Sequence, residues 1–201
     1  MLEGFRFLRR RKVILGTFLL DSNAMIFGMP QALFPAIAEQ HFHGGARVVG
    51  VLYAAPSAGA LAAALLSGWI PHVRRQVVGV AAAIAVWGAA IAAFGLADAL
   101  WLGVAMLALA GAADSVSATL RSTILLSNTP DAMRGRVSGI ELAQVASTPA
   151  LGNVEAGAVA AASSLTFSVV SGGLACIAGA AIILLALPRL LRYDAHHAEA
   201  R

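Results

Sequence analysis

Two runs in this chain leave the backbone almost no choice. From Val77 to Ala97 and from Thr166 to Leu187 there is no acidic or basic side chain, and each run is long enough to cross about 30 Å of hydrocarbon as an α-helix. Hydrocarbon offers the peptide groups no water, so a spanning segment must bond its N–H and C=O groups within itself, as a helix does. The composition agrees: 59% of the 201 residues are hydrophobic and 12% charged, and the mean hydropathy is +0.81. These values exclude an ordinary soluble domain. The expected fold is all-α, a polytopic membrane protein with six transmembrane helices in one bundle, at about 13–38, 48–70, 77–97, 99–119, 138–160 and 166–187. Residues 1–12 precede the bundle as a basic segment and 188–201 follow it as a polar tail. No connecting loop is long enough to build a soluble core.

A net charge of +4 and an isoelectric point near 10.2 would suit a nucleic-acid binder. The basic residues, however, are not interleaved with stacking aromatics, and they recur at the ends of apolar runs, which makes their placement topological. Arg6, Arg9, Arg10, Arg11 and Lys12 precede the first span, and Arg74 and Arg75 follow the second. Arg121, Arg134 and Arg136 surround the connection between the fourth and fifth, and Arg189, Arg192 and Arg201 follow the sixth. Thirteen of the fourteen basic residues therefore fall on one side, with Arg47 alone on the other, which puts both termini in the cytoplasm of a plasma (inner) membrane protein. A cleaved signal peptide is the competing reading, with Val13 to Leu20 as its apolar core and Ser22-Asn23-Ala24 as cleavage site. The return of hydrophobicity from Met25 to Ala38 speaks against it. Cys176 is the only cysteine, so no intramolecular disulfide, zinc cluster or Cys-x-x-Cys pair can form. His41 and His43, with Glu39, make a weak metal pattern on a short glycine-containing turn that reads as an interfacial loop. Neither a metal nor a cofactor is expected.

What distinguishes the spans is the polarity inside them. At about 100° per residue, Glu141, Gln144, Thr148, Gly152 and Glu155 of the fifth span fall within an arc of roughly 80°, and the opposite faces are Ala, Val, Leu and Ile. Exposed charge in lipid is expensive, so such a stripe turns toward other helices or a wet cavity. Pro149 sits within it and frees the carbonyl of Val145. The first span holds Asp21, Asn23 and Gln31 and is interrupted by Pro30 and Pro35. Asp21 lies nine residues beyond Lys12, about 13 Å along a helix and near mid-core. At the fourth span, Asp114 and Arg121 are seven residues apart and share a face: either they form a relay or a pair through an intermediate group, or Arg121 marks the cytoplasmic end. The second span, with LYAAPSAGALAAALLSG, offers small residues for close helix packing. Spans one, four and five carry ionisable groups and spans three and six none, so the first three are expected to surround a path and three and six to serve as outer scaffold.

Seven stretches carry a likeness to a known family. They are EGFRF (Glu3 to Phe7), FGMPQALFP (Phe27 to Pro35), LYAAPSAGAL (Leu52 to Leu61), SGW with VRRQ (Ser67 to Gln76), GAADSVSATLRSTIL (Gly111 to Leu125), TPDAMRGRVSG (Thr129 to Gly139) and GNVEAG (Gly152 to Gly157). They cover almost the whole chain, and TPDAMRGRV, between two spans, is the most specific. The sequence resembles the C-terminal half of a major facilitator superfamily exporter, and is most similar to the enterobactin-exporter-like branch of transmembrane secretion effectors. The resemblance implies a twelve-helix transporter in two bundles that exports a small amphipathic molecule, of drug or siderophore type, by alternating access driven by proton influx. The implied partners are the lipid bilayer, a small-molecule substrate, protons, and either an N-terminal six-helix half or a second copy of this chain, with no nucleic acid. In one place the sequence departs from the family. The loop motif Gly-x-x-x-Asp-Arg-x-Gly-Arg-Arg has, after Gly68, His72 for the aspartate and Val73 for the first arginine, so only Arg74 and Arg75 remain of its basic turn.

The candidate proton-coupling or substrate-path residues are therefore Glu155, Asp21, Asp114, Gln144, Thr148 and Gln31. The candidate gating or cytoplasmic-loop residues are Arg134, Arg136, Arg121, Arg74, Arg75 and Glu141. Enzyme classes find no foothold: the sequence contains no His-Glu-x-x-His, Gly-x-Ser-x-Gly, Gly-x-Gly-Asp or Walker-type glycine motif. The alternative is a non-transporting membrane scaffold or interaction subunit, in which Asp21, Asp114 and Glu155 would tolerate neutral replacement. Reporter fusions placed after Arg75, Met133 and Ala195 should read cytoplasmic, and fusions after Gly44 and Ser164 external. An external signal at Met133 would end the six-span arrangement.

Overall fold

The computed structural model describes residues 11–188 and Leu190. Arg6, Arg9 and Arg10 of the basic segment, and Arg189, Arg192, His196, His197 and Arg201 of the tail, lie outside the described residues. Regular structure among the described residues is helical throughout. The elements in order are α1 (Lys12–Phe27), a 3₁₀ turn (Gln31–Leu33), α2 (Phe34–Gln40), α3 (Ala46–Leu65), a second 3₁₀ turn (Ser67–His72), α4 (Gln76–Gly95), α5 (Leu100–Asn128), α6 (Asp131–Ala162) and α7 (Leu165–Ala186). Five segments are long and apolar enough to cross a membrane: Lys12–Gln40 taken as one, α3, α4, α5 and α7. The sixth long helix, α6, has 32 residues, and its polar stripe lowers its hydropathy below theirs.

The helix ends follow from a few residues. Pro30 has no N–H to donate and steers Met29 away from helical backbone, so α1 stops at Phe27, with the Gly28 N–H closing on the Ala24 carbonyl at 2.8 Å. Pro35, expected to interrupt the same span, instead falls in the first turn of α2, where no N–H is required. Pro56 and Pro149 lie within α3 and α6, which remain helical through them. The expected basic hairpin between spans four and five shrinks to Thr129 and Pro130. DAMRGR already belongs to α6, with Asp131 in the first turn where the helix dipole favours an acid. The fourth span thus continues to Asn128, and Arg121 sits two turns inside α5 rather than at its end.

α4 packs against both α5 and α7, α3 packs on α5, and α1 is held by α6 and α7. One apolar cluster, around Phe34, Leu52, Trp87, Phe94 and Leu107, joins the far end of the first span to α3, α4 and α5. A second, around Leu20, Val77, Ile84, Leu120, Ile124 and Cys176, fills the other end. The sorting of spans into inner and outer holds only in part. α4, with no acidic or basic residue, is the most enclosed of the five apolar segments and α3 the least, because an apolar helix is equally at home in lipid and in a protein core.

Where α3 crosses α5 the backbones touch. A side chain on Gly59 would run into the backbone of Ala108, and one on Gly111 into the backbone at Pro56, so neither contact can be relieved by a rotamer change. Gly111→Val should therefore destabilise the bundle by on the order of 1–3 kcal/mol. Gly157→Ala, which meets open space, should not. Thermal unfolding in detergent compares the two, and equal melting temperatures would contradict the backbone contact.

Candidate functional site

α1 buries three polar side chains: Asn23, whose amide donates to the Cys176 carbonyl of α7 at 2.7 Å, and Thr17 and Asp21, one turn apart. The Thr17 hydroxyl is absorbed by its own helix, donating to the Ile14 carbonyl at 2.8 Å. Asp21, four residues on, reaches across the bundle. Its Oδ2 lies 2.6 Å from Arg121 Nη1 of α5 and accepts a hydrogen bond at 3.0 Å from Gln144 Nε2 of α6. The same amide donates to the Phe18 carbonyl at 3.1 Å. Asp21 is 4% exposed and Arg121 8%. One carboxylate oxygen therefore ties three helices together in the interior of the bundle.

Removing both charges from water costs several kcal/mol per ion, which their attraction repays only with good geometry and further hydrogen bonds, so the pair is not a large net source of stability. Splitting it is another matter. Either charge left alone in this setting has nothing to offset its desolvation. A small void of about 10 Å³ opens beside the pair, lined by Thr17, Phe18, Leu125, Glu141 and Gln144. It has room for about one water molecule. Arg121 Nε is buried there without a hydrogen-bond partner among the described residues, and the half-buried Glu141 completes the wall.

Farther along α6, Thr148 is buried and Gly152 rests against the Met25 and Ile26 backbone of α1, so the middle of the stripe faces α1 while Glu141, Gln144 and Glu155 stay half-buried. Glu155 is half-buried and makes no ion pair or direct hydrogen bond among the described residues. Asp114 does not pair with Arg121. Two helical turns separate them along α5, and Arg121 is taken by Asp21. Asp114 instead lines, with Gln31, Pro30, Trp87 and Gly111, a second cavity of about 80 Å³ beside the break in the first span.

That break is held from three sides. Trp87 Nε1 of α4 donates to the Gly28 carbonyl at 2.7 Å, the Tyr53 hydroxyl of α3 to the Gln31 carbonyl at 3.0 Å, and the Ala32 N–H donates to Asn153 Oδ1 of α6 at 3.0 Å. Sequence reasoning passed over all three side chains. The available signal was their polarity in otherwise apolar stretches, opposite a proline that strands backbone groups.

The remaining basic candidates sit apart from this centre. Arg134 is exposed and pairs at 2.9 Å with Asp131 of its own helix, and Arg136 Nη1 lies 3.5 Å from the Met133 sulfur. Arg74 and Arg75 are exposed at the start of α4. Arg121, being buried in the bundle, leaves the set of flanking charges that reads topology, and the asymmetry then rests on the others. His41 is engaged with the Ala97 carbonyl, Nε2 to O 2.9 Å.

A membrane bundle of this kind, with its interior ion pair and broken first span, can be compared with known proteins. The family described as transmembrane secretion effector matches residues 1–200. The chain belongs to that family. The enterobactin exporter EntS of Escherichia coli O1:K1 / APEC is 34% identical over 195 residues, covering 96% of this chain and 46% of the relative. The proteins of the same name from Escherichia coli O45:K1 (strain S88 / ExPEC) and O127:H6 (strain E2348/69 / EPEC) give the same identity and coverage. The chain thus spans about half the length of the curated relatives it matches. No solved structure matches it. In this secretion-effector bundle, Asp21→Asn and Arg121→Gln should each destabilise by about 3 kcal/mol, and the double variant by clearly less than their sum. Additive losses in a double-mutant cycle of unfolding in detergent would mean that the pair does not act as a unit.

Proposed function

We propose that this chain is one half of a secondary active exporter, moving a small amphipathic molecule of drug or siderophore type out of the cell by alternating access coupled to proton influx. The observation that carries the reading is the Asp21–Arg121 pair, held by Gln144 in the interior of the bundle. Intramembrane ionisable groups are costly and mark ion or substrate pathways by default. The relatives are exporters by name, of enterobactin, and a siderophore-type cargo fits that likeness. The 46% share of their length supports a second six-helix bundle as partner, either another chain or the rest of the same protein.

Within this reading Asp21 is the proton carrier and Glu155 a substrate-path residue. A proton on Asp21 would cancel its charge and weaken its hold on Arg121, loosening α1 from α5 and α6 in one step. Arg121 would then have Glu141 at hand across the small void. Glu155, on the same stripe and without a partner charge, suits the substrate path. Arg134 pairs with Asp131 of its own helix, which supports a topological role for it.

The test is export by the complete transporter in vesicles, with and without an imposed pH gradient. Asp21→Asn should keep substrate binding but lose gradient-driven export by tenfold or more, while Glu155→Gln should weaken substrate affinity and leave the gradient dependence in place. Full gradient-driven export by both variants would remove the carboxylates from the coupling step and favour the scaffold reading.

A further inference from the structure

α3 and α4 both pack on α5 and scarcely touch each other, which leaves a groove along the bundle between them. Its volume is about 440 Å³, and its walls include Ala63, Gly79, Ala82, Val86, Leu109 and Val116. None of the eleven residues that line it carries a polar side-chain atom. Water there would find no hydrogen-bond partner, and neither would a polar solute. The small residues of α4 make the trough: Ala82 is exposed within it, and Gly79 has no side chain to fill it.

One end of the groove is charged. Val73 forms part of the wall there, and the next two residues, Arg74 and Arg75, are exposed and form no ion pair among the described residues. They stand directly before Gln76, the first residue of α4, where the positive end of the helix dipole adds to their field. An apolar trough with Val73 in its wall, followed in the chain by two arginines that are unpaired among the described residues, matches the two halves of one kind of molecule. We propose that the groove binds one anionic phospholipid, with an acyl chain along Gly79, Ala82 and Val86 and its phosphate headgroup held by Arg74 and Arg75. A second protein bundle is the less fitting occupant, because Thr119 and Ser127 of α5 and Ser147 of α6, all exposed, lie outside the groove and offer it a more polar face. The site does not depend on the transport reading.

The full chain, reconstituted in vesicles of phosphatidylglycerol and phosphatidylcholine and then released into detergent, is examined by native mass spectrometry. It should retain one phosphatidylglycerol in preference to phosphatidylcholine. Arg74→Gln and Arg75→Gln should each reduce that preference about fivefold. Ala82→Phe, which fills the trough from an exposed position, should abolish retention while helix content and melting temperature stay unchanged. Retention without headgroup preference, retention insensitive to Ala82→Phe, or crosslinking of a cysteine placed at position 82 to a second bundle would each overturn the proposal.

Discussion

A charged pair without water has to be surrounded by its own hydrogen bonds, and the arrangement of α1, α5 and α6 follows from that requirement. Asp21 and Arg121 approach to 2.6 Å, and the Gln144 amide bonds both the carboxylate and the Phe18 carbonyl. Any rotation of α6 that carried Gln144 away would take a donor from the carboxylate. Any slide of α1 would separate the two charges. The contact therefore sets the register among three helices, although its net contribution to stability is small.

The same absence of water governs the backbone. Once Pro30 interrupts the first span, carbonyls and N–H groups near the middle of the bundle lose their helical partners. Trp87, Tyr53 and Asn153, from α4, α3 and α6, each take one of these groups. The break is consequently a fixed joint rather than a loose one, and α2 is aimed from it toward Phe94 and Leu52 in the core. Asp114 and Gln31 face the cavity beside this joint. A polar centre thus lies at each of two levels along α5, one built on charge and one on freed backbone.

How much of this was legible in the sequence depended on range. The stripe from Glu141 to Glu155 was readable because its period is local to one helix, and its middle does turn inward toward α1. The apolar runs at α4 and α7 could hardly have been anything but helices. Partners were a different matter. Arg121 shares a helix face with Asp114 at a separation of seven residues, but its actual partner is a hundred residues away on α1. Helix-face arithmetic ranks only neighbours within a helix, whereas adjacency of α1 and α5 is decided by packing of the entire bundle. The placement of α4 at the centre was equally hidden, because lipid and protein core ask for the same apolar side chains. Trp87 read as one more apolar residue until the break at Gly28 gave its N–H a partner.

The two polar levels also explain why the bundle's exposed surface is uneven. α3 and the outer face of α6 are the most open parts, with Leu61, Leu65 and Leu66 exposed on or beside one and Leu142, Leu151 and Val154 on the other. The groove between α3 and α4 is open as well. These faces are mostly apolar, with Ser147 of α6 an exposed exception whose hydroxyl donates to the Ala143 carbonyl of its own helix. The interior pair has its carboxylate held by Arg121 and Gln144, while Arg121 Nε, beside the small void, has no partner among the described residues. Glu155, half-buried on the same stripe, makes no ion pair or direct hydrogen bond among the described residues. Under the proposed function, a second bundle would meet it by approaching along the half-exposed side of that stripe, which would place the shared interior beside Glu155 rather than beside the groove of α4.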